Sequence, residues 1–184
     1  EDASEFRSIV QAYEAILTSD EPLITAQISF STTGPTPSIY GLAVSDTGDN
    51  VVATASDGSL NFIDGKGRLE KRFIAAEGAG SLAATPSLDR IVYAHWEGFN
   101  FYSNGGITAT IPADTNHRLR MSPSGMFVAA WSKKTLLLMS TDGQLRAEVE
   151  FAKNVSDVVF TSGSTLAIAA GKLMEFTLGQ SRPE

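Results

Sequence analysis

The most chemically versatile side chains in this sequence are its two histidines, His95 and His117. A zinc site usually needs three or four clustered ligands from Cys, His and carboxylates. The chain has no cysteine, and neither histidine has close ligand partners along the sequence. A Gly-x-Ser-x-Gly nucleophile elbow and a Walker phosphate loop are also missing from it. We therefore expect no metal, no cofactor and no catalytic residue that a local motif would reveal.

The strands and helices that position these side chains must be built from 184 residues, which is enough for one domain. Of these residues, 42% are hydrophobic, which is enough to form a buried core. No apolar run reaches the length of a membrane-spanning helix. The chain begins with Glu1 rather than Met, so we expect a processed or trimmed chain. Low charge and much Ser, Thr and Gly favour a secreted or cell-surface protein of a prokaryote.

The net charge of −7 is spread unevenly along the chain. Residues 1–22 hold six acids and one base, which gives −5 of the −7. The nearly neutral remainder argues against a nucleic-acid partner, which would require a basic surface. One basic cluster lies at a predicted hairpin, and it is either a solvated strand face or a patch for phosphate or an acidic partner. Its members are Lys66, Arg68, Lys71 and Arg72.

An apolar stripe with helical spacing marks the start of the chain. It consists of Phe6, Ile9, Val10, Tyr13, Ile16 and Leu17. Pro22 would end such a helix, so the pattern predicts an acidic amphipathic helix over residues 1–21. This helix would pack on the domain itself, form a stalk or tether, or dock onto another subunit. The residues that would make the docking contact are Phe6, Val10, Tyr13 and Leu17.

After Pro22 the period changes from that of a helix to that of a strand. Residues 24–30 alternate between apolar and polar side chains, which predicts a half-buried strand within residues 22–31. A connector rich in Thr, Pro and Gly follows it.

From residue 39 onward the sequence repeats itself four times. Each repeat has a hydroxyl residue at the end of its first predicted strand, and these residues are 40, 37 and 39 positions apart. They are Ser45, Thr85, Ser122 and Thr161. A period near 40 with four short strands per unit is typical of β-propeller blades. We therefore predict an all-β fold of about four 4-stranded antiparallel blades, preceded by the N-terminal helix, with repeats at residues 39–75, 80–112, 117–151 and 155–178.

Within these repeats, residues 53–64 resemble the hairpin between the second and third strands of WD-repeat blades. Residues 62–69 and 138–145 resemble the following hairpin in quinoprotein-like and WD-like repeats. The resemblance covers residues 39–178 and implies a propeller fold. The Trp-Asp dipeptide, the Gly-His pair and the tryptophan-docking motif of these families are missing, so the resemblance carries over no ligand or catalytic residue.

The number of predicted strands bears on how such a ring would close. The fourth repeat stops after its third strand, and the strand within residues 22–31 would supply the fourth. Closure of this kind removes an exposed sheet edge. Three arrangements remain open: a closed four-bladed ring, an eight-bladed ring of two chains, and a fragment of a larger propeller.

One rim of the predicted propeller collects the residues best suited to binding. They are His95, Trp96, His117, Trp131, Lys133 and Lys134. Tryptophan side chains concentrate binding energy in protein interfaces. The alternative is that Trp96 and Trp131, which end the second strands of their repeats at matching places, pack between blades. We expect a non-catalytic protein–protein interaction or scaffold module, whose partner is another protein or a second copy of itself. The alternative is a ligand-sensing, hydrolase or lyase propeller with an axial site.

Overall fold

The computed structural model describes residues 8–14, 23–30, 38–74, 80–113 and 117–178. These residues form strands, turns and short connections, and none of them forms a helix that could cross a membrane. The strands are β1 (Ser8–Glu14), β2 (Leu23–Phe30), β3 (Ile39–Val44), β4 (Asn50–Ala55), β5 (Ser59–Asp64), β6 (Leu69–Ile74), β7 (Leu82–Ala84), β8 (Arg90–His95), β9 (Gly98–Ser103), β10 (Gly106–Pro112), β11 (Arg118–Met121), β12 (Phe127–Ser132), β13 (Thr135–Ser140), β14 (Gln144–Glu150), β15 (Asp157–Phe160), β16 (Thr165–Ala169) and β17 (Leu173–Thr177).

Fifteen of these strands form four antiparallel sheets, which we call blades 1 to 4. Blade 1 is β3–β4–β5–β6, blade 2 is β7–β8–β9–β10, blade 3 is β11–β12–β13–β14 and blade 4 is β15–β16–β17. Each blade is a simple meander whose neighbouring strands follow one another in the sequence. This is the strand order expected for propeller blades, so the all-β part of the predicted fold class is confirmed.

The hydroxyl residue that marks each repeat has a structural reason. In blade 3, the N–H of Ser122 donates to the carbonyl of Phe127 (2.9 Å), and Ser122 Oγ accepts from the N–H of Phe127 (3.0 Å). Ser45 and Asn50 make the same pair of bonds in blade 1, and Thr85 and Arg90 make it in blade 2. The side chain thus closes the turn between the first two strands, a role that Ser and Thr perform well.

Three buried clusters lie between successive blades, and a smaller one lies on blade 1 alone, around Val51, Ala53 and Ile63. Blades 1 and 2 share a buried cluster around Val52, Leu60 and Tyr93. Blades 2 and 3 share a cluster around Phe99 and Phe101, and the cluster between blades 3 and 4 contains Trp131, Val158 and Leu166. Inner strands such as β4, β8 and β12 are buried on both faces. This explains the run of small apolar side chains in β4, which are Val51, Val52, Ala53 and Ala55.

The predicted N-terminal helix is wrong for the part of the segment that the structure describes. Residues 8–14 form β1, which pairs with β2 in a separate two-stranded antiparallel sheet. Val10 and Tyr13 of the predicted docking helix therefore lie in a strand, while Phe6 and Leu17 lie outside the described residues. The β-branched and aromatic residues of this segment favour a strand once a partner strand is present, and such pairing overrides an apolar stripe with helical spacing.

The strand predicted within residues 22–31 is present as Leu23–Phe30, but it has a different partner. Its register places Ile28 opposite Val10 and Ala26 opposite Ala12. It does not pair with β17, which is the third and last described strand of blade 4. Among the described residues, blade 4 therefore has three strands, whereas each of the other blades has four.

Candidate functional site

The turns between the second and third strands of the blades lie at one end of the array, which we call the turn rim. These turns are residues 56–58, 96–97, 133–134 and 170–172. The connections between blades lie at the same end, because they hydrogen-bond to these turns. For example, Ala113 N donates to Glu97 O (3.0 Å), and Val155 N donates to Lys133 O (2.6 Å). Such backbone bonds give the rim a fixed shape.

Trp96 stands at the tip of the turn in blade 2, and 70% of its surface is exposed. The backbone of the next residue, Glu97, makes two hydrogen bonds. The Glu97 carbonyl accepts from Ala113 N, and the Glu97 N–H donates to the His95 ring. Gly98 follows with a φ of +143°. A Cβ there would collide with Ile111 O and lie 2.8 Å from Ala113 N. The turn that presents the indole is therefore tightly constrained.

His95 supports this turn from inside. The residue is only 4% exposed, and its Nδ1 accepts a hydrogen bond from Glu97 N (3.3 Å). Its Nε2 has no partner in the part of the chain that the structure describes. Burial lowers the pKa of His95 below its ordinary value, and the nearby charge of Glu97 opposes this shift only in part. A neutral, buried imidazole suits a structural role better than direct contact with a partner.

His117 and Trp131 also lie in the interior. The ring of His117 packs edge-on against Phe99, with 5.0 Å between centroids, and the residue is buried. Trp131 is 4% exposed and belongs to the cluster between blades 3 and 4. It also lies two positions earlier in its repeat than Trp96, because it follows Ser122 by nine residues while Trp96 follows Thr85 by eleven. Thus the two tryptophans do not stand at matching places of their strands, and Trp131 faces the next blade.

Lys133 occupies the position in blade 3 that Trp96 occupies in blade 2, and both Lys133 and Lys134 are exposed. Lys133 has a φ of +50°, in the left-handed region that favours glycine. The equivalent residue in blade 4 is Gly171, with a φ of +75°. A lysine at a position better suited to glycine carries a local cost of about 1 kcal/mol, and such strain often occurs at functional sites.

Two further lysines, which no motif marks in the sequence, extend the basic region of the rim. Lys172 lies in the turn of blade 4, and the stem of Lys153 lies against Gly171, with Cγ 3.3 Å from where a Cβ would stand. Both are exposed. The ion pairs within the described ranges use arginines instead. Aligning the four repeats on their hydroxyl residues would have placed Lys172, eleven residues after Thr161, at the tip position itself, whereas Lys153 depends on the fold of a loop.

The blade 1 part of the rim has its charges already paired. Asp57 forms an ion pair with Arg72 and accepts hydrogen bonds from Ser59 N (3.0 Å) and Ser59 Oγ (2.6 Å). Burial pushes the pKa of Asp57 upwards, but the bonds from Ser59 and the charge of Arg72 outweigh it and leave the pKa lowered. This part of the rim therefore offers less free charge than blades 3 and 4.

Two other members of the basic cluster predicted near this hairpin, Arg68 and Lys71, also have intramolecular partners. Arg68 forms an ion pair with Asp64 (2.6 Å). Lys71 Nζ donates to Tyr102 Oη (2.7 Å) and to Gly105 O (3.0 Å), which ties blade 1 to blade 2. These contacts favour a structural strand face over a phosphate-binding patch.

Two clefts lie away from the turn rim. A groove of about 1000 Å³ runs between blades 3 and 4 beside β17, and its lining includes Leu138, Val149 and Phe176. A second cleft of about 580 Å³ between blades 2 and 3 includes Asp89 and Arg146. Among the described residues, no group of three His, Asp or Glu side chains is arranged to hold a metal ion.

Comparison with solved structures supports the fold. The chain is similar to the computationally designed Ika4 protein (17% identity, TM-score 0.66), covering 81% of this chain and 96% of that one. It is also similar to the designed Ika8 protein (17%, 0.67), covering 84% of this chain and 51% of that one. A third match is the β-propeller domain of Cps50 (Swd1) from Myceliophteria thermophila (16%, 0.66), covering 87% of this chain and 63% of that one.

These likenesses show a β-propeller type of fold with repeats similar to those of WD-repeat propellers. The chain spans about half the length of Ika8 and under two thirds of the Swd1 domain. No protein-family model matches the sequence, and no curated protein matches it.

Proposed function

We propose that this protein is a non-catalytic interaction module that binds an acidic protein segment on its turn rim. The observation that carries this proposal is Trp96, a large aromatic side chain that is 70% exposed on a turn fixed by backbone hydrogen bonds. A rigid aromatic anchor loses little conformational freedom on binding and is a frequent hot spot in protein interfaces. A propeller with varied turns suits this role, since its blades hold those turns in place.

The charge of the partner follows from the neighbouring blades. Beside Trp96, the rim carries exposed lysines on blades 3 and 4, which are Lys133, Lys134, Lys153 and Lys172. Such a region attracts carboxylates and raises the rate of encounter with an acidic partner. The partner segment would place an apolar side chain against Trp96 and its acidic residues along the lysines. His95, His117 and Trp131 would support this surface from below.

A display library of acidic peptides tests the proposal, with the full chain as bait. Selected peptides should combine Asp or Glu with an apolar residue, and their binding should weaken as salt rises. Trp96→Ala should weaken binding at least about tenfold, the loss expected for an interface hot spot. Met126→Ala, at an exposed position on the opposite rim, is the matched control and should bind normally.

Lys133→Gly separates binding from folding. Glycine relieves the left-handed backbone of residue 133, so thermal stability should stay the same or rise. Peptide binding should nevertheless fall, because a positive charge is lost from the rim. Equal binding by wild type, Trp96→Ala and Lys133→Gly would refute the proposal.

A further inference from the structure

The cleft of about 580 Å³ between blades 2 and 3 is lined mostly by polar residues. It lies at the end of the array opposite the turn rim, where residues of the turns after β9 and β13 border it. Its charged residues are two acids and two bases, which are Asp89, Arg90, Asp142 and Arg146. Within the described ranges, none of these four forms an ion pair. The cleft therefore combines charged groups of both signs with no net charge.

Hydroxyl groups of two consecutive residues hold the arginine side chains of the cleft. Arg90 Nη1 donates to Thr141 Oγ1 (3.2 Å), and Arg146 Nε donates to Ser140 Oγ (3.2 Å). Thr141 Oγ1 in turn donates to Gly125 O (2.9 Å). In the part of the chain that the structure describes, each of these guanidinium groups makes only this one hydrogen bond. Since a guanidinium has five N–H donors, most of them can bond to a ligand.

The two carboxylates of the cleft supply acceptors. Asp89 Oδ1 accepts from Ser87 Oγ (2.6 Å) and from Thr85 Oγ1. These bonds hold the pKa of Asp89 below its ordinary value, so the carboxylate is ionised at neutral pH. Asp142 Oδ1 accepts from Ser140 Oγ. Both carboxylates use Oδ1 in these bonds, which leaves Oδ2 of each to accept from a ligand.

The two walls of the cleft are fixed relative to each other. Gly143, in the turn after β13, lies directly against blade 2, because a Cβ there would collide with the Ala109 methyl and lie 3.7 Å from Phe101 Cδ2. The hydrogen bond from Arg90 to Thr141 crosses the same junction between the blades. A site that is already formed loses less conformational freedom when its ligand binds.

We propose that this cleft binds an uncharged sugar in the form of a short neutral oligosaccharide. Each sugar hydroxyl both donates and accepts hydrogen bonds, so one ligand can use the guanidinium donors and the carboxylate acceptors together. A simple anion would be repelled by Asp89 and Asp142, and a simple cation by Arg90 and Arg146. The cleft volume lies within the range of roughly 300–1,000 Å³ that is usual for small-molecule sites. This site is separate from the turn rim.

A glycan array tests the proposal, with the full chain applied to neutral, sulfated and sialylated oligosaccharides. The protein should bind neutral glycans, and titration calorimetry with a selected glycan should give an affinity that salt does not change, because the ligand is uncharged. Arg90→Gln and Arg146→Gln should each weaken binding roughly tenfold or more. Arg118→Gln is the matched control and should bind normally. Arg118 is also an exposed arginine without a carboxylate partner among the described residues, but it lies on β11 outside the cleft.

Asn104→Gly distinguishes a loss of sugar binding from a loss of folding. Asn104 lines the cleft with a φ of +51°, so glycine should leave the Tm unchanged or higher while removing an amide that can bond to the sugar. Binding by this variant should therefore be weaker although it is fully folded. An array on which no neutral glycan binds would overturn the proposal. So would binding to sulfated or sialylated glycans alone, or equal binding by wild type, Arg90→Gln and Arg146→Gln.

Discussion

The hydroxyl residue of each repeat leads to a quantitative prediction about stability. Ser122 is 2% exposed, and its Oγ accepts from Phe127 N (3.0 Å) and contacts Ser124 Oγ (3.1 Å). Ser122→Ala removes this hydroxyl, so the N–H of Phe127 loses its side-chain acceptor in a buried turn. We expect the free energy of unfolding to fall by about 2 kcal/mol, within the range for a buried hydrogen bond whose partner is left unpaired.

Thermal unfolding measures this effect. For a domain of this size, about 2 kcal/mol corresponds to a decrease in Tm of roughly 4–8 °C. Ser122→Thr should stay close to wild type, since Thr85 makes the same backbone bond at the equivalent position. Thr161→Ala should cost less than about 0.5 kcal/mol, because Thr161 is exposed and its hydroxyl donates over 3.4 Å to Thr165 O.

The comparison among these three variants decides the question. If Ser122→Ala and Thr161→Ala lowered the Tm equally, burial of the hydroxyl would not control the energy of the turn. If Ser122→Thr were as damaging as Ser122→Ala, shape rather than hydrogen bonding would be the cause. Either result would refute the explanation given for the repeated Ser and Thr residues.

Two further predictions concern the turn that presents Trp96. Gly98→Ala should lower the free energy of unfolding by more than about 3 kcal/mol in denaturant unfolding, because of backbone strain and collision with Ile111 O. Gly106→Ala is the control: its Cβ would meet nothing within 4 Å, so this variant should be nearly neutral. Burial holds the pKa of His95 below its ordinary 6.5 in the folded protein. The unfolded chain therefore binds a proton at His95 more readily than the folded chain does. As a result, the Tm should fall as the pH decreases through about 6.5 towards the folded pKa. His95→Asn, which keeps an acceptor for Glu97 N without titrating, should have a smaller Tm change between pH 7.5 and 5.5, and an equal change would contradict this role.

The repeated part of the fold could be predicted because its signals are local. The hydroxyl at the end of each first strand bonds to a residue four or five positions away, so its spacing in the sequence reports the blade directly. Turn glycines such as Gly143, with a φ of +85°, mark the next hairpin for the same reason. These features are determined within a few residues and need no knowledge of distant contacts.

The N-terminal segment and the buried rim residues depend instead on distant parts of the chain. Val10 has a strand conformation because Ile28 lies opposite it in another strand, and no spacing rule within residues 1–21 contains that information. Similarly, His95 and Trp131 have types common in binding sites, but both are enclosed where successive blades pack together. Counting from the hydroxyl residues separates Trp131 from Trp96, yet only the packing of blade 4 shows that Trp131 is covered.

The contrasting positions of the two tryptophans also make the chain its own fluorescent reporter. The sequence has only these two tryptophans, one in water at a turn tip and one enclosed between blades 3 and 4. A soluble quencher should reach Trp96 in the folded protein and Trp131 only after those blades separate. Single-tryptophan variants would therefore distinguish, by emission alone, an event at the rim from the opening of the array.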